Sequence, residues 1–188
     1  MPPSPVDRRS EVLAHSRALL RTRGFNAFSH RDLAALAGVK SSSIHYHFPS
    51  KEDIGLALIE DYRTEIMTFL SGLERLPVPK RLDQFTNLFV EAAASGDQWC
   101  VAGMLASDFE TLGEALRAEV RRFFLDVERW LATQLRLLRP DLKPSAAQRL
   151  SKTCMALLEG SLLLARSQGE PQRAAHARES IKALLGAV

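Results

Sequence analysis

The sequence predicts an all-α protein, and three observations carry that prediction. Apolar residues recur at helical spacing in segment after segment, and no stretch keeps the alternation of a half-buried strand. Gly or Pro falls where the helices would end, at Gly24, Gly38, Pro49, the LPVPK break at 76–80, the RPDLKP break and Pro171. About nine helices account for the 188 residues, and their 46% apolar content is enough for a packed core.

The first helix covers 8–23, with Val12, Leu13, Leu19 and Leu20 at helical spacing and Gly24 closing it. Ser29 caps the second, with Asp32 three residues on to meet the first-turn amides. Leu33, Leu36 and Ala37 form its inward face, Gly38 permits a tight turn, and Val39 plugs the gap to the third helix, Ser41–His47. There Ile44 and Phe48 face inward, Pro49 stops the helix, and Ser50 caps a long fourth one. Residues 80–94 form the fifth, 101–109 a short, nearly all-apolar sixth, and 113–138 the seventh. Ser145 caps the eighth, running to about Gln168, and Pro171 opens the ninth, which reaches Leu185.

Composition narrows the function classes. No apolar run approaches the ~18 residues of a membrane span, and MPPSPVDRRS lacks the apolar core of a secretory signal. Cys100 and Cys154, without CxxC spacing, suit a reducing cytoplasm and exclude both a disulfide framework and a Cys-rich zinc site. Residues 1–53 hold eight Lys/Arg against five acids, whereas 54–188 hold 17 of each sign. The positive excess therefore lies in the N-terminal segment, within or just before the second and third helices.

Two short helices joined through Gly38 form a helix-turn-helix pattern, whose second helix enters a DNA major groove while the first braces it. Ser41, Ser42 and Ser43 offer hydroxyls to phosphate or base edges, and His45, Tyr46 and His47 can stack on sugars or donate to phosphate. Arg31 suits bidentate contact to a guanine, and Lys51 adds charge at the next helix start. The competing reading is a helical hairpin with a solvated polar face. A metal site at His45 and His47 is set aside, because neighbours two apart do not share a helix face and no third ligand is at hand. No metal or cofactor is called for.

Residues 8–60 resemble the DNA-binding domain of the tetracycline-repressor (TetR) family of transcriptional regulators. The resemblance rests on Gly24-Phe25, Ser29, Arg31-Asp32-Leu33-Ala34, Ala37-Gly38-Val39, Ser43-Ile44, Tyr46-His47-Phe48 and Ser50-Lys51-Glu52. It implies an N-terminal three-helix DNA-binding domain (1–53) and a C-terminal helical domain for ligand binding and dimerisation (54–188). Ser29, His30 and Arg31 match family positions that meet DNA from the second helix. Ser41, Ser42, Ser43, His45, Tyr46 and His47 match the recognition surface, and Lys51 a phosphate contact. His30, Ser42 and His45 depart from the residues usual there.

The C-terminal half is less specific. The stretch beginning WCVAGMLASDF is similar to a subset of the family with a Cys at the start of the sixth helix, which in some members senses oxidants or electrophiles. The alternative for Cys100 is a small buried residue at a tight corner. Phe69, Phe85, Phe89, Trp99, Met104, Phe123 and Trp130 could line an apolar inducer cavity or fill that space as core. The eighth helix sets Leu150, Cys154, Leu157, Leu158, Ser161 and Leu162 on one side and Ala156, Gly160 and Leu164 on another. With Ala177, Ile181, Leu184 and Leu185 of the ninth it could form half of a four-helix bundle between two subunits, or close the monomer core. The expectation is a homodimeric repressor on a double-stranded, pseudo-palindromic operator, released by a small-molecule inducer. An enzyme is disfavoured, since no nucleophile–base pair, phosphate loop or workable carboxylate pair occurs. A ligand-independent architectural nucleic-acid binder is the alternative.

Overall fold

The computed structural model describes residues 5–185. Nine α-helices follow one another among them: α1 (Pro5–Arg23), α2 (His30–Leu36), α3 (Ser41–His47), α4 (Lys51–Gly72), α5 (Val78–Ser95), α6 (Val101–Ser107), α7 (Glu114–Leu138), α8 (Pro144–Gln168) and α9 (Gln172–Leu185). Short 3-10 turns occupy Phe25–Ala27, Leu73–Arg75 and Phe109–Thr111, and the described residues contain no strand. No helix is long and apolar enough to cross a membrane.

Several helix ends differ from the sequence expectation, mostly because proline is tolerated in a first turn. Helix α1 starts at Pro5, three residues earlier than expected, and α5 starts at Val78 with Pro79 in its first turn. Lys143, not Ser145, caps α8, so Pro144 is its first residue. Helix α6 stops at Ser107 and gives way to the 3-10 turn.

The chain packs as two compact units. The first holds the residues up to Thr64 together with Val101–Phe123; the second holds Glu65–Cys100 and the chain from Phe124 onward. The division falls inside α4 and α7, so each of these helices supplies residues to both units.

In the first unit, Leu20, Leu33, Ile44, Phe48, Ile54 and Leu58 are fully buried. Leu36, expected inward, is 52% exposed. At 100° per residue the stripe of Leu33, Ala34 and Ala37 leaves Leu36 roughly 100° off its centre. Two acids tie the α6–α7 corner to the N-terminal helices. Asp108 accepts from the Phe25 N–H at 2.7 Å. Glu52 accepts from the Leu116 N–H at 3.4 Å, at the positive end of α7. The Glu52 carboxylate lies over Gly113, where a Cβ would stand 2.1 Å from Oε1.

In the second unit, α8 and α9 form a hairpin closed at Gly169, and α5 packs against both. Arg81 fixes the entry to α5, donating to the carbonyls of Leu76 at 2.7 Å and Glu74 at 2.6 Å and to the buried Gln134 of α7 at 3.0 Å. Arg178 and Lys182 of α9 meet Asp83 of α5 at 2.5 and 3.3 Å. The Arg178 bond, against the opposing effect of burial, holds the Asp83 carboxyl below its ordinary range. Leu157, grouped from the sequence with Cys154 and Leu158, is exposed, lying off the inward stripe by about the same angle as Leu36.

Helices pack closely at Gly55 of α4, where a Cβ would fall 2.5 Å from Leu116 Cδ2 and 3.0 Å from Phe25 Cζ. Alanine is the better helix former by ~1 kcal/mol, but overpacking a filled core costs ~1–3 kcal/mol. Gly55→Ala should therefore lower the midpoint of chemical denaturation, and it should cost less when made in a Leu116→Ala background than in the parent. A Gly55→Ala protein as stable as the parent would contradict this packing.

Candidate functional site

The α2–α3 hairpin is fixed by local chemistry. Ser29 and Asp32 form a reciprocal capping box: the Ser29 N–H and hydroxyl donate to Asp32 Oδ2 at 2.7 and 2.6 Å, and the Asp32 N–H donates back to the Ser29 oxygen. Those bonds hold the Asp32 carboxyl below its ordinary range. Ser50 and Asp53 repeat the arrangement at the start of α4. Gly38 takes a φ of +62°, a conformation that favours glycine, and the Val39 N–H returns to the Ala34 carbonyl at 3.0 Å.

Helix α3 rests on Ile44 and Phe48, both essentially inaccessible, and turns its other side chains outward. Ser41, Ser42 and His45 are exposed, Ser43 and His47 half-buried, and Tyr46 is 81% exposed with an edge-on contact to His47. An aromatic ring exposed to that degree, on a helix otherwise anchored by an apolar pair, is the most conspicuous feature of this surface. Ser29 and Arg31 are exposed on the adjoining start of α2. Arg31 makes no ion pair among the described residues, so its guanidinium is available to a partner.

Two of the expected contact residues are already engaged. The His30 Nε2 lies 2.9 Å from the Phe48 carbonyl oxygen, and its ring stacks on that of His45 with centroids 4.2 Å apart and planes 3° from parallel. The Lys51 ammonium sits over the rings of Phe25 and Phe28, at 4.9 and 4.8 Å. Burial lowers the Lys51 pKa, and the nearby Asp108 and Asp32 oppose that shift. Two cations that the sequence reading left without a role also belong to this surface. Lys40 is exposed at the N-cap of α3, and the Arg9 guanidinium lies 5.1 Å from the Phe48 ring centre. Their positions next to the recognition segment could have been inferred for Lys40, which directly precedes Ser41, but not for Arg9, 39 residues from Phe48.

The residues expected around an inducer divide between the two units. Phe89, Trp99 and Cys100 are buried, and Phe69 and Trp130 half-buried, in the second. Phe85 links Phe89 and Trp130 there, at centroid distances of 5.7 and 5.3 Å. Met104 and Phe123 belong to the first, Phe123 stacked on Tyr62 at 5.3 Å. Cys100 faces a residue the sequence reading passed over. Its thiol donates to Glu159 of α8, whose second oxygen, Oε1, is buried with no hydrogen-bond partner. A carboxyl group, rather than the cation that promotes a thiolate, therefore faces this thiol. Separately, a pocket of about 260 Å³ between α5 and α9 is floored by Leu82, Ile181 and Leu185 and edged by Lys80, Asp83 and Lys182.

Of the residues expected at a subunit interface, Ala156, Leu164 and Leu184 are exposed, the two leucines at 43% and 53%. Gly160 is half-buried. Ile181 is buried in the core of its own unit, where α9 packs on α5 and α8, and is not available to a partner. Leu157 and Leu163 extend the exposed apolar surface of α8. No group of three His, Cys, Asp or Glu placed to hold a metal occurs among the described residues.

Comparison with known proteins accords with this geometry. Residues 12–58 match the family described as "Bacterial regulatory proteins, tetR family". Residues 80–179, more than half the chain, match "Transcriptional regulator LmrA/YxaF-like, C-terminal domain". The HTH-type transcriptional repressor DhaR of Mycobacterium sp. strain GP1 is 27% identical over 126 residues, 65% of this chain and 61% of the relative. The HTH-type transcriptional regulator EthR of Mycolicibacterium smegmatis is 27% identical over 158 residues, 77% of this chain and 65% of the relative. The matches thus span a little under two thirds of these relatives' length. Among solved structures, a TetR-family regulator from Agrobacterium tumefaciens superposes with a TM-score of 0.89 at 26% identity, covering 98% of this chain and 99% of the other. A TetR transcriptional regulator from Legionella pneumophila gives 0.87 at 32% identity, with the same coverage.

Burial pushes the Glu159 carboxyl up to about 7, while the Cys100 bond draws it the other way. A carboxyl raised above its unfolded value of 4.5 costs the fold when it ionises. Its penalty is absent below that value, grows as pH rises toward about 7 and is constant above it. Glu159→Gln should remove this dependence. Between pH ~5 and ~8 the parent should lose on the order of 1–3 kcal/mol relative to the variant, at 1.4 kcal/mol per pKa unit. Thermal melts of both proteins across that range check this, and parallel curves would refute it.

Proposed function

This chain belongs to the TetR family of bacterial regulatory proteins, and we propose that it is a sequence-specific DNA-binding transcriptional regulator, a homodimeric repressor that a small-molecule inducer releases from its operator. The observation that carries the reading is the α2–α3 hairpin. Two capped or anchored helices hold a polar surface of Ser41, Ser42, Tyr46 and Arg31 over a sealed apolar base, with cations at Lys40 and Arg9. Buried anchors under exposed donors are what a major-groove probe requires: the backbone must not move when the side chains meet the bases.

In this reading residues 1–53 form the DNA-reading domain, and residues 54–188 the domain that binds inducer and dimerises. Ser29, Ser41, Ser42, Ser43, Tyr46 and His47 contact phosphate, sugar or base edges; Arg31 reads a guanine and Lys51 approaches a phosphate. The exposed leucines of α8 and α9 meet their counterparts in a second subunit. A two-fold dimer then presents the two α3 helices to successive major grooves, roughly 34–36 Å apart. The inducer binds in the body, among aromatic residues such as Phe89, Trp99 and Trp130. Release needs a coupling of only ~1–3 kcal/mol. Helix α4, which begins directly after the α3 segment, carries the change toward the reading head. The protein works in the cytoplasm, without cofactor and without catalysis.

Two measurements test this. Selection of bound fragments from genomic DNA should return a pseudo-palindrome, and Arg31→Ala should cost ~1–3 kcal/mol of discrimination at one base pair in each half. Lys51→Met, which keeps the stem against Phe25 and Phe28, should weaken binding to all sequences alike and lower the salt slope by about one. Uniform losses from Arg31→Ala would remove it from base reading. In sizing experiments with light scattering, Leu164→Glu with Leu184→Glu should give a folded monomer with much reduced operator affinity. A dimer that survives both changes would place the subunit interface elsewhere.

A further inference from the structure

We propose that His45 is a specificity-determining residue which accepts a hydrogen bond from an exocyclic amine, adenine N6 or cytosine N4, in the major groove, and that His30 is the positioning residue that fixes its ring. The inference rests on α3 being the DNA probe and adds the chemical sense of one of its contacts.

The argument follows from where the ring protons must be. A backbone carbonyl oxygen only accepts, so a ring nitrogen bonded to one carries hydrogen. His30 Nε2 lies 2.9 Å from the Phe48 oxygen, and that nitrogen is therefore the N–H of His30. His45 Nδ1 lies 3.3 Å from the Pro49 oxygen, so Nδ1 carries its hydrogen. A neutral imidazole protonated at Nδ1 has its lone pair at Nε2, the far tip of the ring. His45 is exposed, and in this assignment its Nε2 is the atom that meets a base edge.

The stack keeps this arrangement in place. With planes 3° from parallel and centroids 4.2 Å apart, His30 blocks one face of His45 and is itself anchored to the carbonyl of the residue that ends α3. Asp53 of α4 lies close enough to His30 for the two to interact electrostatically. The other charged groups nearby, Arg31 and Asp32 on α2, His47 on α3, and Lys51 on α4, have no recorded bond to either imidazole. The major groove offers two kinds of donor, the amines of adenine and cytosine, while guanine and thymine present acceptors at the matching positions. A fixed acceptor at the tip of His45 favours the first pair and opposes the second.

The test is operator selection from randomised duplexes with the full-length parent, His45→Phe, His30→Phe and His30→Gln. The parent should show one position per half-site with adenine or cytosine preferred over guanine and thymine. His45→Phe should flatten that position alone, and His30→Phe should weaken the same position while the others keep their preferences. His30→Gln, which can still donate to the Phe48 carbonyl, should restore part of it. Independently of any variant's folding, replacing the amine-bearing base by its analogue without the amine should cost the parent roughly 5-fold or more in affinity and leave His45→Phe unchanged. A parent preference for guanine or thymine that His45→Phe removes would overturn the assignment, as would an unchanged affinity for the analogue. If the parent binds DNA without sequence preference, the reading of α3 as a sequence probe fails, and this assignment with it.

Discussion

The bond from the Phe25 amide to the Asp108 carboxylate is the constraint on which the first unit depends. Phe25 follows Gly24, whose φ of +87° turns the chain sharply after α1, and the amide would otherwise be buried without a partner. Asp108 satisfies it from a segment more than 80 residues away. The Phe25 ring then packs edge-on against Phe28, and both rings receive the Lys51 ammonium at the start of α4. The acid, the amide, two aromatic rings and a cation thus lock α1, α4 and the α6–α7 corner into one arrangement. Glu52, one residue beyond Lys51, makes the second tie through the start of α7. The α2–α3 hairpin belongs to the same unit, where α2 packs on α1 and α3 on α2.

Much of the reading head was legible in the sequence because its determinants are local. Ser29 with Asp32 announces a cap, Gly38 a left-handed turn, and Ile44 with Phe48 an inward pair, and each acts within a few residues of itself. What was not legible depends on direction or distance. Leu36 and Leu157 share the spacing of buried neighbours, and only the centre of each stripe decides that they face out. Ile181 and Leu184 are both apolar residues of α9, yet one is spent within the protomer and the other is exposed. The stack of His30 on His45 joins residues 15 apart through ring orientations that no spacing rule encodes. Lys51 counted as surface charge, whereas its ammonium is held against two rings.

The body follows a different logic. Its polar groups are sequestered: Arg81 is spent on carbonyls and Gln134, Arg178 on Asp83, and Glu159 on Cys100. Helical periodicity registers Glu159 only as a polar residue in an apolar helix. Nothing in the sequence indicates that one of its oxygens is sealed from water and unmatched. A carboxyl group in that state is poised between charge states and sensitive to whatever enters its surroundings. The perturbed Glu159 thus lies in the second unit, while the capped Asp32 and the ring-bound Lys51 lie in the first.

The unequal treatment of the helix starts has a consequence for backbone hydration. Helices α2 and α4 begin at reciprocal serine–aspartate boxes that pin their first turns. Helix α3 follows Lys40, whose side chain makes no capping bond, so its first turn lacks the side-chain acceptor that the other two helices have. First-turn amides not met by the backbone are therefore left to water or to an oxygen from outside the chain, whereas a serine at position 40 would have met one from within.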